Sequence, residues 1–513
     1  MAGRADISYN RVMTKNSKRS DLILVFDQGT TSSRALLFDR KGALVCGSQK
    51  PFTQFYPKPG WVEHDPIEIL SSQISAFTEV LKSADISPEK IAGIGISNQR
   101  ETAIIWDRDT GLPIANAIVW QCRRTAEDIE RICADPEIYK EIVRRTGLIP
   151  DAYFSASKVA WLLNNTPGAR AAAEQGRLAF GTVDSWLIYK LTGGKAHVTD
   201  VTNACRTMLF NIHENRWDVK LLELFDIPAS LLPEVRPSAF DFGVVDYPTL
   251  PKGLRICGVA GDQQAALFGQ RCFGLGEVKC TMGTGSFMLM HTGDKPYVSK
   301  NRLVTTIAAS APGTAGLEYA LEGSIFVAGG IVQWLCEGLG IIKSAAESEE
   351  IASSVADTEG VYVVPAFTGL GAPWWDPDAR GAILGLTQGA KKEHIVRAAL
   401  ESPAYQTADL IAAFESDSEV PVASIKADGG VAANGFLMQF MSDILGVPIS
   451  CSMNHEATGL GAAFLAGLTC GFWRDKAEIL DLDLKTKVYS PEPIDRKALI
   501  DGWHEALARV RTS

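Results

Sequence analysis

Two apolar runs, Leu22–Phe26 and Ala35–Phe38, flank the segment Asp27-Gln-Gly-Thr-Thr-Ser-Ser-Arg34. Apolar runs on either side of a glycine-bearing turn read as a β-hairpin. The turn gathers one carboxylate, Asp27, one glycine, Gly29, the hydroxyls of Thr30, Thr31, Ser32 and Ser33, and the guanidinium of Arg34. Glycine lets the backbone approach a ligand, and backbone N–H groups with hydroxyls make an anion cradle. Asp27, at the strand end, can hold Mg²⁺ through water. Taken alone, the same residues also suit an ordinary polar turn. The pattern recurs at Lys279–His291, where Gly283-Thr-Gly-Ser286 separates Cys280-Thr-Met from Phe287-Met-Leu-Met290. Two such turns, far apart in the chain, predict two related halves that each open with a phosphate-handling hairpin.

Size agrees with two halves. A chain of 513 residues exceeds one core, so domains of about 100–250 residues are expected. The boundary is placed within Cys272–Glu277, giving a flexible tail over 1–20 and domains over 21–273 and 274–513. Apolar content of 46% and charged content of 21% fit a soluble globular protein. The net charge of −10 argues against nucleic-acid and anionic-membrane partners. The 10 cysteines are scattered singly, with no CxxC pair, so neither a metal cluster nor a disulfide framework is expected and a reducing compartment is the default. His64, His394 and His455 read as capping or surface residues. No apolar stretch approaches about 20 residues, and the first residues lack an apolar h-region, so neither a transmembrane helix nor a secretory signal is expected.

Elements alternate along the chain. Asp65 as N-cap, Pro66 and Glu68 make a capping box. Ile67, Leu70, Ile74, Phe77, Val80 and Leu81 then recur at helical spacing. Leu437, Phe440, Met441, Ile444 and Leu445 do the same, ended by Gly446. Strands are expected at Ile91–Ser97, Ala103–Trp106, Gly181–Val183, Ile256–Ala260, Val361–Val364 and Ser424–Ala427. A helix over His394–Phe414 should kink at Pro403. The alternation predicts an α/β architecture. There is no GxxxxGK[ST] and no complete GxGxxG, and Asp241-Phe-Gly243 has no HRD loop before it.

Chemistry concentrates at strand ends. Arg100 and Glu101 pair a fork of donors with a set of acceptors, which together suit neighbouring hydroxyls. Alone they read equally as a surface ion pair. Gly261-Asp262-Gln-Gln264 opens a helix-like run, so Asp262 could be a general base, a metal contact or a helix cap. Asp428-Gly-Gly430, with Asn434 beyond it, lets backbone approach a flat ring or ribose.

In order, Asp27-Gln-Gly-Thr-Thr, Asn98-Gln-Arg-Glu-Thr, Gly261-Asp-Gln-Gln, Gly283-Thr-Gly and Asp428-Gly-Gly resemble the FGGY carbohydrate kinases. Tyr153-Phe-Ser-Ala-Ser-Lys158-Val-Ala-Trp161 and Gly381-Ala-Ile-Leu-Gly385 with His394 are similar to the two patterns of that family. The resemblance spans Leu22 to Trp473. It implies two related actin/hexokinase-like, ribonuclease H-like ATPase domains with an interdomain cleft. The N-terminal domain would serve the acceptor and phosphates, the C-terminal domain the nucleotide. Pro57–Asp65, Val119–Arg124, Val198–Asn203 and Ala366–Pro373 match the branch acting on glycerol. The implied reaction is therefore ATP-dependent phosphorylation of glycerol to sn-glycerol 3-phosphate, with Mg²⁺, by a cytoplasmic homo-oligomer.

The resemblance also implies roles. Arg100, Glu101, Tyr153, Asp262 and Gln263 would bind the acceptor hydroxyls, and Trp120 and Phe287 would pack on its carbons. Asp262 would be the general base. Thr30, Thr31, Ser32 and Arg34 would meet phosphate at the first hairpin, Gly283 and Thr284 at the second. Gly430 and Asn434 would hold the adenosine end, and Asp27 and Asp262 the metal. Two rival readings are an FGGY kinase for a ketopentose or longer polyol, and an ATP-binding interaction protein on the same fold.

Overall fold

The computed structural model describes residues 21–83, 85–453 and 456–512. The tail expected over 1–20, and His455, lie outside these. The chain forms two compact units. Unit one comprises the described residues up to Arg271 together with Thr306–Tyr319 and Glu456–Leu484; unit two comprises Cys272–Thr305, Ala320–His455 and the chain from Lys485.

Unit one is built on a six-stranded sheet in the order Ala239–Val244, Arg255–Gly261, Ile91–Asn98, Leu22–Gln28, Ser32–Asp39, Leu44–Pro51. Leu22–Gln28 and Ser32–Asp39 are the antiparallel hairpin, and Leu22–Gln28 runs parallel to Ile91–Asn98. The first strand is buried along its whole length, so it reads as a continuous apolar run rather than an alternating one. The helix Ala457–Thr469 lies close against this sheet because its partners are glycines. A Cβ on Gly95 would sit 2.3 Å from the Ala462 carbonyl, and one on Gly461 1.8 Å from the Ala265 carbonyl. The helix Asp262–Gly269, which carries the candidate base, is thereby pinned by backbone contact.

Unit two repeats the device. Glu277–Met282 pairs antiparallel with Ser286–Gly293 and parallel with Ser424–Asp428. The seven-stranded sheet continues through Ile449–Ser452 to Thr486–Tyr489. Its core includes Val278, Met288, Leu410, Phe414, Met441 and Trp503.

Several local expectations change. The helix Pro66–Ser83 has Asp65 accepting from Ile67 N at 2.8 Å, but Glu68 turns to Thr53, accepting from its N at 3.0 Å and Oγ1 at 2.9 Å. The capping box is therefore not closed. The strand expected at Gly181–Val183 is Leu178–Gly181, and Val183 already starts the helix Val183–Leu191. The helix expected over His394–Phe414 spans Lys392–Ser418, with Pro403 inside it. Ser402 Oγ donates to the Ala399 carbonyl at 2.8 Å, the acceptor that a residue without an N–H cannot serve. His64 is fully buried rather than at the surface, while His394 does cap a helix, accepting from Lys391 N.

Candidate functional site

In unit one, Asp27 and Arg34 are cross-strand partners in the hairpin. Asp27 is buried. Its Oδ2 accepts from Arg34 Nε at 2.8 Å and its Oδ1 from Ser97 Oγ at 2.6 Å. Arg34 Nη1 also donates to Glu456 at 2.9 Å. The field of Asp27 holds the guanidinium above its ordinary pKa. Arg34 therefore fixes Asp27, and its fork is already engaged by two carboxylates. In the turn, Thr31 is exposed and Thr30 half-buried. Trp120 Nε1 donates to Thr30 Oγ1 at 3.0 Å, and Gln49 Nε2 to Ser32 Oγ at 2.7 Å.

Arg100 and Glu101 follow the neighbouring strand, Ile91–Asn98. Both are buried, at 3% and 1% exposure, so the surface ion pair is excluded. Gly261, which precedes Asp262, is register partner of Asn98 in adjacent parallel strands. The two loops therefore leave the sheet side by side, at the strand ends where α/β sheets bind ligands. Arg100 Nε lies 3.2 Å from Asp262 Oδ1 and 3.8 Å from Glu101 Oε1, and Nη1 donates to Gln264 Oε1 at 3.1 Å. A Cβ at Gly261 would come within 2.7 Å of Arg100 Cγ and Cδ, so glycine makes room for the guanidinium stem. The Asp262 side chain is 36% exposed against 2% for Arg100. It stands where a bound hydroxyl could reach it.

The turn at Asp200 ties these loops together. Asp200 caps the helix Val201–Ala204 by accepting from Thr202 N and Asn203 N. Asn203 and Asn98 exchange amide hydrogen bonds at 2.9 and 3.1 Å. Gly261 N donates to Thr202 Oγ1 at 2.8 Å, and Arg206 Nε to Glu101 Oε1 at 2.6 Å. Arg206 and Glu101 are each 1% exposed. Sequence reasoning missed Arg206, Asn203, Gln264 and Ser97. Only the motif Val198–Asn203 touched this turn, and no role came with it.

Glu101 has φ +63°, and Thr102 N donates to the Arg100 carbonyl across it at 2.8 Å. A three-residue turn closed around a positive φ is the rare, strained γ-turn. Such conformations cost about 1–3 kcal/mol and persist only where the surroundings over-determine them. Nearby, Tyr153 meets Trp120 edge to face, with centroids 5.4 Å apart. The Arg206 guanidinium lies 5.9 Å from the Tyr153 ring centroid. Gln263, half-buried, donates its backbone N–H to Asp262 Oδ1 at 2.7 Å.

His64 supports the hairpin from behind. Gln54 Nε2 donates to the Thr30 carbonyl at 3.1 Å, which turns Gln54 Oε1 toward His64 Nε2 at 2.7 Å. Nε2 then carries the ring proton, and His64 Nδ1 is buried without a hydrogen-bond partner. Burial lowers the His64 pKa from 6.5 to about 4. A depressed pKa stabilises the fold above pH 6.5, and that contribution is lost as pH falls toward 4. Acidification from pH 6.5 to 4 should therefore remove up to about 3 kcal/mol through this residue. In thermal melts, Tm should fall less steeply over this range in His64→Gln than in the parent. Parallel falls would contradict the assignment.

In unit two, the turn Gly283-Thr284-Gly285 closes with Gly283 N donating to the Gly285 carbonyl at 2.8 Å. Ala328 N and Gly330 N donate to the Thr284 carbonyl at 2.8 and 3.0 Å. Phe287, half-buried, is register partner of Thr281, and Thr281 is also register partner of Asp428 on the parallel side. Thr281 Oγ1 and Asp428 Oδ1 are buried without hydrogen-bond partners in the protein. Orphan atoms of this kind cost about 1–3 kcal/mol, so each asks for a partner from outside the chain. Gly429, at φ +91°, lies where a Cβ would be 2.3 Å from the Met282 carbonyl, while nothing lies within 4 Å of a Cβ built on Gly430. Asn434 caps the helix Gly435–Leu445, accepting from Leu437 N at 2.9 Å. Here, then, are a turn of backbone groups, an open glycine and buried oxygens where two central strands of the sheet end.

Among the described residues, no group of three or more His, Cys, Asp and Glu side chains is arranged to hold a metal ion. A cation would depend on water and a ligand's oxygens. Asp27 suits that, because a carboxylate engaged at both oxygens still has lone pairs for water.

The profile of the FGGY family of carbohydrate kinases, N-terminal domain, matches residues 22–269, and that of its C-terminal domain residues 278–470. A glycerol kinase of Carboxydothermus hydrogenoformans is 55% identical over 493 residues, 95% of this chain and 98% of that one. The crystal structure of Plasmodium falciparum glycerol kinase with ADP superposes with a TM-score of 0.91 at 38% identity, covering 96% of this chain and 98% of that one. A ligand-bound xylulose kinase from Lactobacillus acidophilus has a TM-score of 0.85 at 24% identity, covering 96% and 99%, which shows the fold alone.

Proposed function

The chain belongs to the FGGY family of carbohydrate kinases, and from that premise we propose that it transfers the γ-phosphoryl group of ATP to glycerol, giving sn-glycerol 3-phosphate and ADP. Glycerol as acceptor is supported by the relatives at 55% identity across nearly the whole chain. The roles of the residues follow the family resemblance, and the geometry around Arg100, Glu101 and Asp262 supports those of unit one.

The observation that carries the mechanism is Asp262, tethered to buried Arg100 at 3.2 Å with its own side chain partly open. Arg100, Glu101, Tyr153 and Gln263 bind the hydroxyls of the acceptor. Trp120 and Phe287 pack on its carbons. Asp262 takes the proton from the terminal hydroxyl as that oxygen attacks phosphorus, and its helix, pinned at Gly461, keeps the carboxylate in place. Phosphoryl transfer rests on positioning and charge stabilisation more than on covalent help. Thr30, Thr31 and Ser32 donate to the phosphates, with Arg34 locking Asp27 beside them. By the family resemblance, Gly283 and Thr284 take phosphate and Gly430 and Asn434 the adenosine. Asp27 and Asp262 would hold Mg²⁺ through water, and the ion would neutralise phosphate charge. We place the enzyme in the cytoplasm, in line with its ten free cysteines.

ADP release from Mg·ATP by the full chain tests this reading across glycerol, dihydroxyacetone, xylulose, ribulose and no acceptor. Release that depends strongly on glycerol is expected. Preference for a ketopentose would overturn the acceptor assignment, and release indifferent to every acceptor would overturn the kinase reading.

A further inference from the structure

Lys158 has no place in the mechanism above, yet it is completely buried. A lysine is almost never buried this deeply unless its ammonium is paired. Here Nζ donates to two backbone carbonyls, those of Tyr153 and of Glu101, the latter at 3.4 Å. The second carbonyl belongs to the residue at the centre of the strained γ-turn. Ser155 Oγ donates to that same carbonyl at 3.0 Å, while Arg206 holds the Glu101 carboxylate. Ser155 and Lys158 both lie in the helix Ser155–Asn165, which begins directly after Tyr153-Phe154. One helical turn thus anchors two residues distant in sequence.

We propose that Lys158 is a positioning residue for the acceptor: its Nζ, bridging the Glu101 and Tyr153 carbonyls, keeps the γ-turn closed and sets the two acceptor-binding side chains at a fixed spacing. The proposal rests on the assignment of Glu101 and Tyr153 to the acceptor. Ser155 shares the load at the Glu101 carbonyl, so the two donors act on one element.

The test is steady-state kinetics of the full chain carrying Lys158→Met, Ser155→Ala, both together, and Glu101→Gln, with glycerol and ATP varied separately. Lys158→Met keeps much of the apolar stem and removes the donor. It should lower kcat/KM for glycerol by about 10–100-fold, the scale of a lost charged hydrogen bond, with KM for ATP changed less than about two-fold. Ser155→Ala should cost about 3–10-fold, again for glycerol only. The double variant should depart from the product of the single losses, because both donors hold one carbonyl. Equal losses for glycerol and ATP, no loss, or fully multiplicative losses would overturn the proposal. If Lys158→Met does not fold, Ser155→Ala decides alone: a loss confined to glycerol supports the proposal, and no loss overturns it. If Glu101→Gln leaves glycerol kinetics unchanged, the acceptor assignment itself fails. If Glu101→Gln impairs glycerol and Lys158→Met does not, only the positioning role fails.

Discussion

Asp262→Asn is expected to lower kcat by about 10²–10⁴-fold, the range for a lost general base, with a smaller change in KM for glycerol. Asparagine keeps the shape of the side chain and can still accept a hydrogen bond from Arg100, now 3.2 Å from Asp262 Oδ1. Arg100 also retains Gln264 at 3.1 Å and Glu101 at 3.8 Å, so its buried charge is not abandoned. The side chain is partly exposed, and the helix behind it is fixed by the glycine contacts at Gly269 and Gly461. Tm should therefore stay close to that of the parent while turnover collapses. Steady-state kinetics and a thermal melt check both halves. A variant that loses affinity for ATP with kcat unchanged would contradict the role.

Arg206→Met is expected to be the most destabilising single change at the site. Arg206 and Glu101 are each 1% exposed and meet at 2.6 Å. Removing one partner of a buried ion pair leaves the other charge buried, at a cost of about 3–5 kcal/mol. For a unit of this size that corresponds to a fall in Tm of roughly 5–8 °C. The same change releases the carboxylate of the γ-turn residue, so kcat/KM for glycerol should fall with it. Arg206→Met combined with Glu101→Gln should regain part of the lost stability, because the orphaned charge is gone. A fall below about 1 kcal/mol, or a double variant no more stable than the single one, would contradict this account of the pair.

What could be read from the residues alone was local. Asp27 to Arg34 announces a hairpin because turn chemistry and flanking apolar runs sit within a few residues of one another, and the structure has that hairpin. The second hairpin at Gly283 was legible for the same reason. Arg100, Glu101 and Asp262 were singled out as polar groups at strand ends, and the sheet register brings their loops together. Arg206 was invisible because its partner is 105 residues away, and nothing beside it marks an ion pair. The helix Ala457–Thr469 was likewise missed as part of unit one. Its tie to the sheet is made by single glycines, Gly95 and Gly258, whose purpose shows only once the partner backbone is in place. Glu68 leaves the capping box because Thr53 offers its half-buried carboxylate two donors. His64 misled the reading because a histidine's burial depends on what folds over it.

The most direct measurement is the fate of the terminal phosphoryl group. The full chain is incubated with Mg²⁺, glycerol and ATP labelled at the γ-position, and the label is followed to its product. Label is expected in sn-glycerol 3-phosphate in equal amount to the ADP formed, with almost none in inorganic phosphate. Label released as inorganic phosphate at a rate unaffected by glycerol would contradict this expectation.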